Sequence, residues 1–394
     1  MTIDQRDPEV RIAKLLDNGK FELLIPRTDC GMVAATGEIK GNRVVVFASD
    51  ATLQGGALGA DGAHVIVEAY KSAMGSQLPI IGIWHSGGAR LRDGVSSLSA
   101  FGEVFQSMIT ASGRIPQLSL VLGPTAGGGA YGPALTDIVV LAPNGRIFVT
   151  GPDVVKSVTG EKIDIATLGG PDAHRKNSGV AHVIAHSEEE AFAEIRDLTS
   201  LFSDQGRLNT DLVDEDLSIY VPAATKRAYE VHPLVNAILD RDGEKLELLP
   251  MWAENMTTVM GRFGGRTVGV VANNPQHLGG VLDSSAAEKA ARFVRTCDAF
   301  GIPLIVIADV PGFLPGAGQE WEGAVRRGAK LLHAFGEAVV PRVTLITRRA
   351  YGGAYVAMNS KSLGATRVFA WPTAEVSVMG AVAAVRVLHR RLLA

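Results

Sequence analysis

Residues 79–90 read PIIGIWHSGGAR, and a stretch of the same kind, PLIVIADVPGFLPG, returns at residues 303–316. Each is a short apolar run that ends in a glycine-rich turn, which predicts a buried β-strand followed by a tight turn. After an intervening helical pattern, each is followed by a second apolar run with glycines near its end, at residues 118–131 and 343–355. Because the same features recur in the same order about 225 residues apart, the chain contains an internal repeat.

The glycines of the repeat are also in register. Gly87 and Gly127 are 40 residues apart, and so are Gly312 and Gly352. One glycine-rich turn can arise by chance, but several landmarks at matching distances indicate two copies of one structural unit. The repeat therefore predicts an α/β fold with two domains of the same design, in which short buried strands alternate with helices.

The length and composition of the chain agree with two globular domains. It has 394 residues, of which 46% are hydrophobic and 20% are charged, and a chain of this length exceeds one ordinary core. We place the domains at residues 1–225 and 226–394, because the sequence VPAA at 221–224 breaks the pattern of strands and helices.

Composition also argues against several classes of protein. A net charge of −3 lacks the basic footprint of nucleic-acid binding, and the apolar runs are too short to span a membrane. Residues 1–11 mix acidic and basic side chains without an apolar region, so no secretory signal is expected. The two cysteines, Cys30 and Cys297, suit a reducing cytoplasm and are too few for a four-cysteine zinc site.

The glycine-rich turns are candidates for binding an oxyanion. A strand that runs through glycines directly into a helix presents free backbone N–H groups at the helix N-terminus, where the helix dipole also favours negative charge. Gly127-Gly128 and Gly353-Ala354 are therefore predicted oxyanion holes, one in each domain. The alternative is that such glycines only close a tight turn, and their recurrence in a repeat favours the first interpretation.

Other catalytic patterns are weak or missing from the sequence. The P-loop, zinc-protease and serine-hydrolase motifs do not occur. Gly127, Gly129 and Gly132 match the dinucleotide pattern, but the next strand ends in PNG without an acid for a ribose hydroxyl. His85, at the end of a strand, is more typical of a structural histidine than of a catalytic one. The chain thus offers oxyanion donors without an obvious side-chain base, which favours enolate chemistry whose base comes with a cofactor.

Several motifs point together to one enzyme family. In the first half they are SGGAR (86–90), GGGAYGPALTD (127–137), TGPDVVKSVTGE (150–161), LGG (168–170) with His174, and SGVA (178–181). In the second half they are EKAARFVR (288–295), DVPGF (309–313), GAKLL (328–332), YGGAY (351–355) and MGA (379–381). As a set, over nearly the whole chain, they resemble the carboxyltransferase β subunits of biotin-dependent acyl-CoA carboxylases.

This resemblance implies two tandem crotonase-like domains of ββα repeats, in a homohexamer built as a trimer of dimers. The N-terminal domain of one subunit is expected to bind the CoA thioester, and the C-terminal domain of its dimer partner to bind biotin. The biotin is expected as carboxybiotin on a separate biotin carboxyl carrier protein, with biotin carboxylase as a further partner. The implied reaction transfers the carboxyl group to the α-carbon of acetyl-CoA or propionyl-CoA, in the cytoplasm and without a metal.

The resemblance also implies roles for individual residues. Gly127-Gly128 is expected to bind the thioester carbonyl as it becomes an enolate, and Gly353-Ala354 the ureido oxygen of carboxybiotin, whose N1′ takes the α-proton. The residues expected to line the CoA channel are Ser86, Gly87, Gly88, Ala89 and Arg90, although Arg90 can instead pair with a local carboxylate. The residues expected to bind biotin are Tyr351, Gly352, Met379, Gly380 and Ala381.

Three features distinguish this chain from some or most members of the family. Many relatives carry Asp where this chain has His85. At Val356, members that favour propionyl-CoA tend to carry Asp and members that accept acetyl-CoA an apolar residue, so Val356 either shapes the acyl pocket or packs the start of a helix. Relatives usually continue for several tens of residues beyond Ala394, so the C-terminal domain is expected to be truncated.

The sequence leaves other functions open. A biotin-dependent acyl-CoA decarboxylase subunit shares the fold and both oxyanion holes, and spacing does not separate the two directions of the reaction. Outside catalysis, the alternative is a scaffold of a carboxylase complex, against which the intact glycines argue. A hydratase is disfavoured because it needs paired glutamates beside its oxyanion hole, and none lies beside Gly127 or Gly353.

Overall fold

The structure, a computed structural model, describes residues 4–211, 215–224 and 227–389. It divides into two compact units, Met1–Asp204 and Gln205–Ala394. The boundary predicted between residues 225 and 226 lies outside the described residues, as does the chain end at 390–394, where the truncation is expected.

The segment that precedes the predicted boundary makes its hydrogen bonds within the second unit. The N–H group of Thr267 donates to the carbonyl of Gln205 at 2.8 Å, and the N–H group of Asn209 donates to the carbonyl of Gly264 at 2.7 Å. These bonds give residues just after Asp204 a fixed place beside the second sheet. The second unit therefore begins about twenty residues earlier than the sequence pattern suggested.

The first unit is a sheet with helices packed on it. Its strands are β1 (Phe21–Leu23), β2 (Met32–Ile39), β3 (Asn42–Ser49), β4 (Ile80–Ser86), β5 (Gln117–Ala126), β6 (Ile138–Leu141), β7 (Arg146–Phe148) and β8 (Val183–Ile184). Its helices are α1 (Pro8–Leu15), α2 (Ala60–Ser76), α3 (Val95–Ala111), α4 (Gly128–Leu135), α5 (Pro152–Thr159), α6 (Ile165–Gly169), α7 (Pro171–Ala173) and α8 (Glu188–Ser203). A π-helical turn covers His174–Ser178.

The second unit has the same kind of architecture. Its strands are β9 (Lys245–Leu248), β10 (Met256–Phe263), β11 (Arg266–Asn273), β12 (Leu304–Val310), β13 (Arg342–Tyr351), β14 (Arg367–Ala370) and β15 (Glu375–Ser377). Its helices are α9 (His232–Ile238), α10 (Ser284–Ala299), α11 (Ala317–Trp321), α12 (Ala324–Glu337), α13 (Gly352–Ala357) and α14 (Ala381–Leu388). None of the helices in the described ranges is long and apolar enough to cross a membrane.

The two sheets share one topology. In the first, the order is β1-β2-β3-β4-β5-β6-β8, with β7 paired to β5; in the second, it is β9-β10-β11-β12-β13-β14, with β15 paired to β13. Each sheet begins with antiparallel strands, including the hairpins β2–β3 and β10–β11, and continues with parallel strands joined by helices. The prediction of an α/β fold built from two copies of one design is confirmed.

The backbone shows how the copies correspond. Leu58 donates its N–H to the carbonyl of Gly88, and Leu282, 224 residues later, donates its N–H to the carbonyl of Gly312. Gly88 rather than Gly87 is thus the counterpart of Gly312. The two spacings of 40 residues misled because paired residues of β12 and β13 are one residue further apart in sequence than those of β4 and β5. The sequence spacing identified the repeat but placed this turn one residue too early.

The core of the first unit explains why the parallel strands carry so many small and branched residues. Phe47 on β3 and Trp84 on β4 meet edge to face at 5.2 Å between ring centroids, and a Cβ on Gly82 would lie 2.5 Å from the Phe47 ring. The indole N–H of Trp84 donates to the hydroxyl of Ser119 at 2.9 Å, so its one polar atom is satisfied. Each such buried ring contributes about 1.5–3 kcal/mol of hydrophobic stabilisation.

Candidate active site

Within the first unit, the glycine-rich turn that follows β4 lies against the glycine-rich turn that follows β5. Ser86 ends β4, and its hydroxyl accepts the N–H of Gly88 at 3.2 Å, while the N–H of Gly87 donates to the carbonyl of Gly55 at 3.0 Å. Gly88 has a φ of 96°, and a Cβ there would lie 3.0 Å from the carbonyl oxygen of Ala126. Only glycine allows this approach, which brings the predicted substrate-binding turn beside the end of β5.

Gly127, Gly128 and Gly129 form the second turn, between β5 and α4. Gly127 has a φ of 58°, and its N–H donates to the carbonyl of Phe148 at 3.1 Å. The N–H of Ala130 is bonded back to the carbonyl of Gly127 at 3.0 Å. Helix geometry leaves the N–H groups of Gly128 and Gly129 without intrahelical acceptors, so these are the donors that the turn can offer to a ligand.

This arrangement corrects the part predicted for Gly127. Its N–H is already engaged with β7, so it does not donate to an oxyanion; its positive φ instead turns the chain into α4. The turn lies beside the predicted substrate-binding residues, since a Cβ on Gly129 would be 3.3 Å from the hydroxyl oxygen of Ser86. Sequence reasoning found the turn but could not assign hydrogen bonds to its individual N–H groups.

The second unit presents a matching turn between β13 and α13. Gly352 has a φ of 59°, within a degree of its counterpart Gly127. Gly353 and Ala354 lie in the first turn of the helix, where N–H groups lack intrahelical acceptors. Ala354 is buried, whereas Gly353 is exposed and a Cβ there would meet nothing within 4 Å. The space in front of Gly353 is therefore open to a ligand.

The other residues expected to bind biotin gather around this turn. A Cβ on Gly352 would lie 3.0 Å from the carbonyl oxygen of Val378, and one on Gly380 would lie 3.4 Å from the ring of Tyr351. Met379, between them, accepts a hydrogen bond on its carbonyl from the hydroxyl of Ser377 at 2.6 Å. Tyr351, Gly352, Met379 and Gly380 therefore lie together, and Ala381 follows them at the start of α14.

Tyr351 makes a contact that sequence reasoning did not foresee. Its hydroxyl donates to the carboxylate of Glu375 on β15. Burial and this carboxylate together raise the pKa of Tyr351 to about 12, so the phenol stays protonated near neutral pH and remains a donor. The pair ties the end of β13 to β15, 24 residues away in sequence, and no local pattern signals it.

Val356 lies on α13, two residues after Ala354. Its side chain is 37% exposed, whereas its neighbours Ala354 and Ala357 are buried. A residue that only packs the start of a helix would face the core as these alanines do. The exposure of Val356 favours the interpretation that it borders a binding site.

Arg90 is turned towards the protein rather than towards a ligand. Its guanidinium donates to the carbonyl of Cys30 at 2.9 Å and lies 4.0 Å from the carboxylate of Asp93. Next to it, Ala89 bridges to Leu58. Of the two roles predicted for Arg90, the structure supports pairing with a local carboxylate. Arg90 therefore holds the end of this turn in place.

His85 is half-buried, and its counterpart in the repeat, Asp309, is buried. Burial, and then the nearby guanidinium of Arg11, lower the pKa of His85 to about 4, so its ring is neutral and its Nδ1 lies 3.4 Å from that guanidinium. Asp309 is fully buried and bonded to Arg348 at 2.8 Å and to Arg349 at 3.0 Å. The structural interpretation of His85 is therefore favoured over a catalytic one.

No group of three or more histidine, cysteine, aspartate or glutamate side chains in the described ranges is arranged to hold a metal ion. His174, which follows the LGG motif, is buried and bonded to the backbone of β7 beside Gly127. Its place between the LGG and SGVA motifs is the signal in the sequence for this histidine, and that signal does not assign it a role.

Comparisons with known proteins agree with the motifs. Residues 14–394 match the carboxyl transferase domain family. The beta6 subunit of a biotin-dependent acetyl-/propionyl-coenzyme A carboxylase from Mycobacterium tuberculosis is 58% identical over 100% of this chain and 84% of its own length. The alpha subunit of methylmalonyl-CoA decarboxylase from Veillonella parvula is 44% identical over 97% of this chain and 80% of its own length.

A solved structure has the same fold as this chain. The hexameric transcarboxylase 12S, with hydrolyzed methylmalonyl-coenzyme A bound, has a TM-score of 0.93 to this chain at 38% identity, covering 97% of this chain and 80% of that one. The predicted tandem crotonase-like fold and the family resemblance are both confirmed. The chain belongs to the carboxyl transferase domain family and is an acyl-CoA carboxyltransferase.

Proposed function

We propose that this enzyme transfers a carboxyl group from carboxybiotin, carried on a separate carrier protein, to the α-carbon of a short acyl-CoA. The observation that carries the proposal is the pair of matching glycine turns, one in each unit. Each turn begins at a glycine with almost the same φ, 58° at Gly127 and 59° at Gly352, and each is followed by backbone N–H groups in the first turn of a helix. Two reacting carbonyl groups develop negative charge in such a transfer, and each turn suits one of them. The identity to a carboxylase subunit supports the acyl-CoA class of substrate.

The turn in the first unit is assigned to the thioester. Gly128 and Gly129 supply N–H groups where the carbonyl oxygen becomes an enolate oxygen, and the helix dipole of α4 adds to the favourable field. Backbone amides held by a fold need no reorganisation as charge develops, so they stabilise the transition state more than the ground state. Ser86 and the neighbouring glycines border the same region, and we assign them to the acyl-CoA channel.

The turn in the second unit is assigned to the ureido oxygen of carboxybiotin. The residues present fit such a group, because the position in front of Gly353 is open and the N–H groups of Gly353 and Ala354 lie in the first turn of α13, where they lack intrahelical acceptors. Tyr351 and Gly380 form a wall beside the turn. When bound, carboxybiotin supplies both the carboxyl group and the base for the α-proton, and the chain's part is to bind and orient the two reactants.

The assembly belongs to the same proposal. We assign the chain to a homohexamer, a trimer of dimers, that works with biotin carboxylase and a biotin carboxyl carrier protein in the cytoplasm. Large apolar side chains are exposed on both units: Leu91 is 93% exposed and Val95 80%, as are Trp321 at 86% and Val325 at 77%. Large exposed apolar residues are typical of surfaces that a second copy covers.

Carboxylation is the direction we propose, with malonyl-CoA as the product from acetyl-CoA, for fatty-acid synthesis, and methylmalonyl-CoA as the product from propionyl-CoA. The test is fixation of ¹⁴C-bicarbonate by the purified chain with a biotin carboxylase and a biotinylated carrier, compared across acetyl-, propionyl- and butyryl-CoA. Fixation that depends on this chain is the expected result. Decarboxylation of the malonyl-CoA products without fixation would favour the decarboxylase alternative, and binding without turnover would favour the scaffold.

A further inference from the structure

Strand β7, Arg146–Phe148, is the element on which Gly127 rests. The N–H of Gly127 donates to the carbonyl of Phe148 at 3.1 Å, and the strand pairs with β5 through three residues only. A three-residue strand with a single neighbour has little stability of its own. The position of β7, and with it the start of the turn, therefore depends on contacts from its other side.

Those contacts come from the π-helical turn His174–Ser178. The Nε2 atom of His174 lies 2.9 Å from the carbonyl oxygen of Ile147, the central residue of β7, and its Nδ1 lies 2.7 Å from the hydroxyl of Ser178. The carbonyl can only accept, so Nε2 carries the proton and Nδ1 accepts from the hydroxyl. The imidazole is 6% exposed, and burial lowers its pKa, so the neutral ring that this arrangement needs is favoured.

The neighbouring helix closes on the same carbonyl. Gly169, at the end of α6, approaches so near that a Cβ would lie 2.2 Å from the oxygen of Ile147 and 2.9 Å from the ring of Phe148. The Ser178 hydroxyl is held in turn, because it also accepts the N–H of Val180 at 3.3 Å. Ile147 is thus fixed by a close backbone contact and by one histidine in one tautomer.

We propose that His174, oriented by Ser178, is a positioning residue that fixes β7 and so sets the Gly128 and Gly129 N–H groups towards the developing oxyanion. This inference rests on the proposed function, which assigns that turn to the thioester. In the second unit the corresponding strand, β15, is held differently, by the bond between Tyr351 and Glu375. The role of His174 therefore belongs to the first turn and not to the second.

Two substitutions at His174 separate positioning from mere packing. His174→Leu removes both hydrogen bonds, whereas His174→Gln keeps an N–H group that can reach Ile147. We expect His174→Leu to lower kcat about tenfold or more, because small displacements of oxyanion donors cost large factors in rate. The KM for acyl-CoA should change less than about threefold, since the interaction strengthens only in the transition state. His174→Gln should recover most of kcat.

Hydrogen exchange gives a readout that does not require turnover. In the assembled protein, the amides of residues 126–132 should exchange faster in His174→Leu than in wild type, and those of residues 351–357 should be unchanged. The second segment is the internal control because it carries the matching turn without the histidine. Faster exchange in both segments, or in neither, would overturn the proposal, and so would a folded His174→Leu enzyme with wild-type kcat.

Ser178→Ala keeps the test decisive if His174→Leu does not fold. Ser178 is exposed, so its hydroxyl can be removed without a buried cavity, and Ser107→Ala, which removes a hydroxyl bonded within α3, is the matched control. We expect a loss of about three- to tenfold in kcat for Ser178→Ala, the effect of one hydrogen bond, and none for the control. Equal values for the two variants would overturn the proposal. A wild-type enzyme without carboxyl transfer would instead contradict the proposed function. The hydrogen-exchange measurement would still test whether His174 fixes the turn.

Discussion

Arg11 is a buried cation, and no carboxylate of the described residues lies within ion-pair distance of its guanidinium. Its side chain is 3% exposed, its Nε has no hydrogen-bond partner within those same residues, and its terminal nitrogens lie 3.4 Å from the neutral ring of His85. In the second unit, Asp309, the counterpart of His85, bonds to an arginine from a different element, Arg348 on β13, at 2.8 Å. An acid at this place in the fold can therefore pair with a neighbouring guanidinium.

We therefore expect His85→Asp to stabilise the protein by about 1 kcal/mol or more at pH 7, since a buried charge gains a charged partner. The folded pKa of His85, about 4, lies below its ordinary value of 6.5. The contribution of the neutral ring is thus complete above pH 6.5 and is lost as the pH falls towards 4. The difference between variant and wild type should grow from pH 7 to pH 5.

Urea unfolding at both pH values measures this difference. Arg11→Met in each background completes a double-mutant cycle, and the gain from His85→Asp should vanish when the guanidinium is absent. A gain that persists in the Arg11→Met background would show that the aspartate acts through something other than Arg11.

Gly353 is the cleanest position at which to probe an oxyanion hole. A Cβ on Gly128 would lie 3.2 Å from the ring of Phe101, so a substitution there disturbs packing, whereas a Cβ on Gly353 meets nothing within 4 Å. We expect Gly353→Ala to fold normally and to lose about tenfold or more in kcat, because the methyl group occupies the space of the ureido oxygen.

The control is Gly102→Ala, at an exposed glycine of α3 whose Cβ position is also open. It should raise stability by about 0.5–1 kcal/mol and leave kcat unchanged. Steady-state kinetics with free biotin and malonyl-CoA measure both variants. Wild-type turnover in assembled Gly353→Ala would remove this turn from the candidate site.

Val356 tests the assignment of the acyl pocket. We expect the wild type to act on acetyl-CoA with some tolerance of propionyl-CoA, and Val356→Asp to shift the ratio of kcat/KM towards propionyl-CoA. One side chain in such a pocket is worth about 1–3 kcal/mol, so a partial shift is the expected size. Ile109→Asp, at an exposed aliphatic position on α3, controls for the added charge. An unchanged ratio in active Val356→Asp would assign Val356 to packing alone.

At the scale of elements, the strands that flank the glycine turns could be predicted and the short strands beside them could not. β4 and β12 consist mostly of buried apolar residues, and β5 and β13 each contain a short apolar stretch, so the pattern of a buried strand is visible in the sequence. β7 and β15 have three residues each and are held by side chains distant in sequence, His174 and Tyr351. Periodicity does not detect elements whose position is set by tertiary contacts.

The bond between Tyr351 and Glu375 should therefore matter for one reactant only. Tyr351→Phe removes the donor that ties β13 to β15 and leaves the ring against Gly380. We expect a higher KM for free biotin and an unchanged KM for acyl-CoA, measured in the same assay. Tyr220→Phe removes a similar bond, from Tyr220 to Glu215, and is the matched control. A rise in both KM values would indicate a general loss of structure instead.

For the whole molecule, the repeat could be predicted from the sequence because glycine is strongly favoured where φ is positive or backbones approach closely. Gly88, Gly127, Gly312 and Gly352 all have positive φ, and their spacing is kept to within one residue while other residues between them differ. The extent of each unit was harder to predict. Residues just after Asp204 have no strand or helix pattern, and they join the second unit through hydrogen bonds to residues far along the chain, such as Gly264 and Thr267, which a local pattern does not reveal.

The proposed assembly makes the last prediction. If one site combines the first unit of one subunit with the second unit of its partner, Gly128→Val and Gly353→Val damage opposite halves of each site. Each variant alone should be nearly inactive. After subunit exchange in an equal mixture, half of the dimers pair the two variants, and each of these has one site free of substitutions. About a quarter of all sites should then be intact, and activity should return to about that fraction of wild type. Exchange is verified by mass spectrometry of differently tagged subunits, and the assembly of each variant by light scattering. Verified exchange without any recovery of activity would show that each subunit carries its own complete sites.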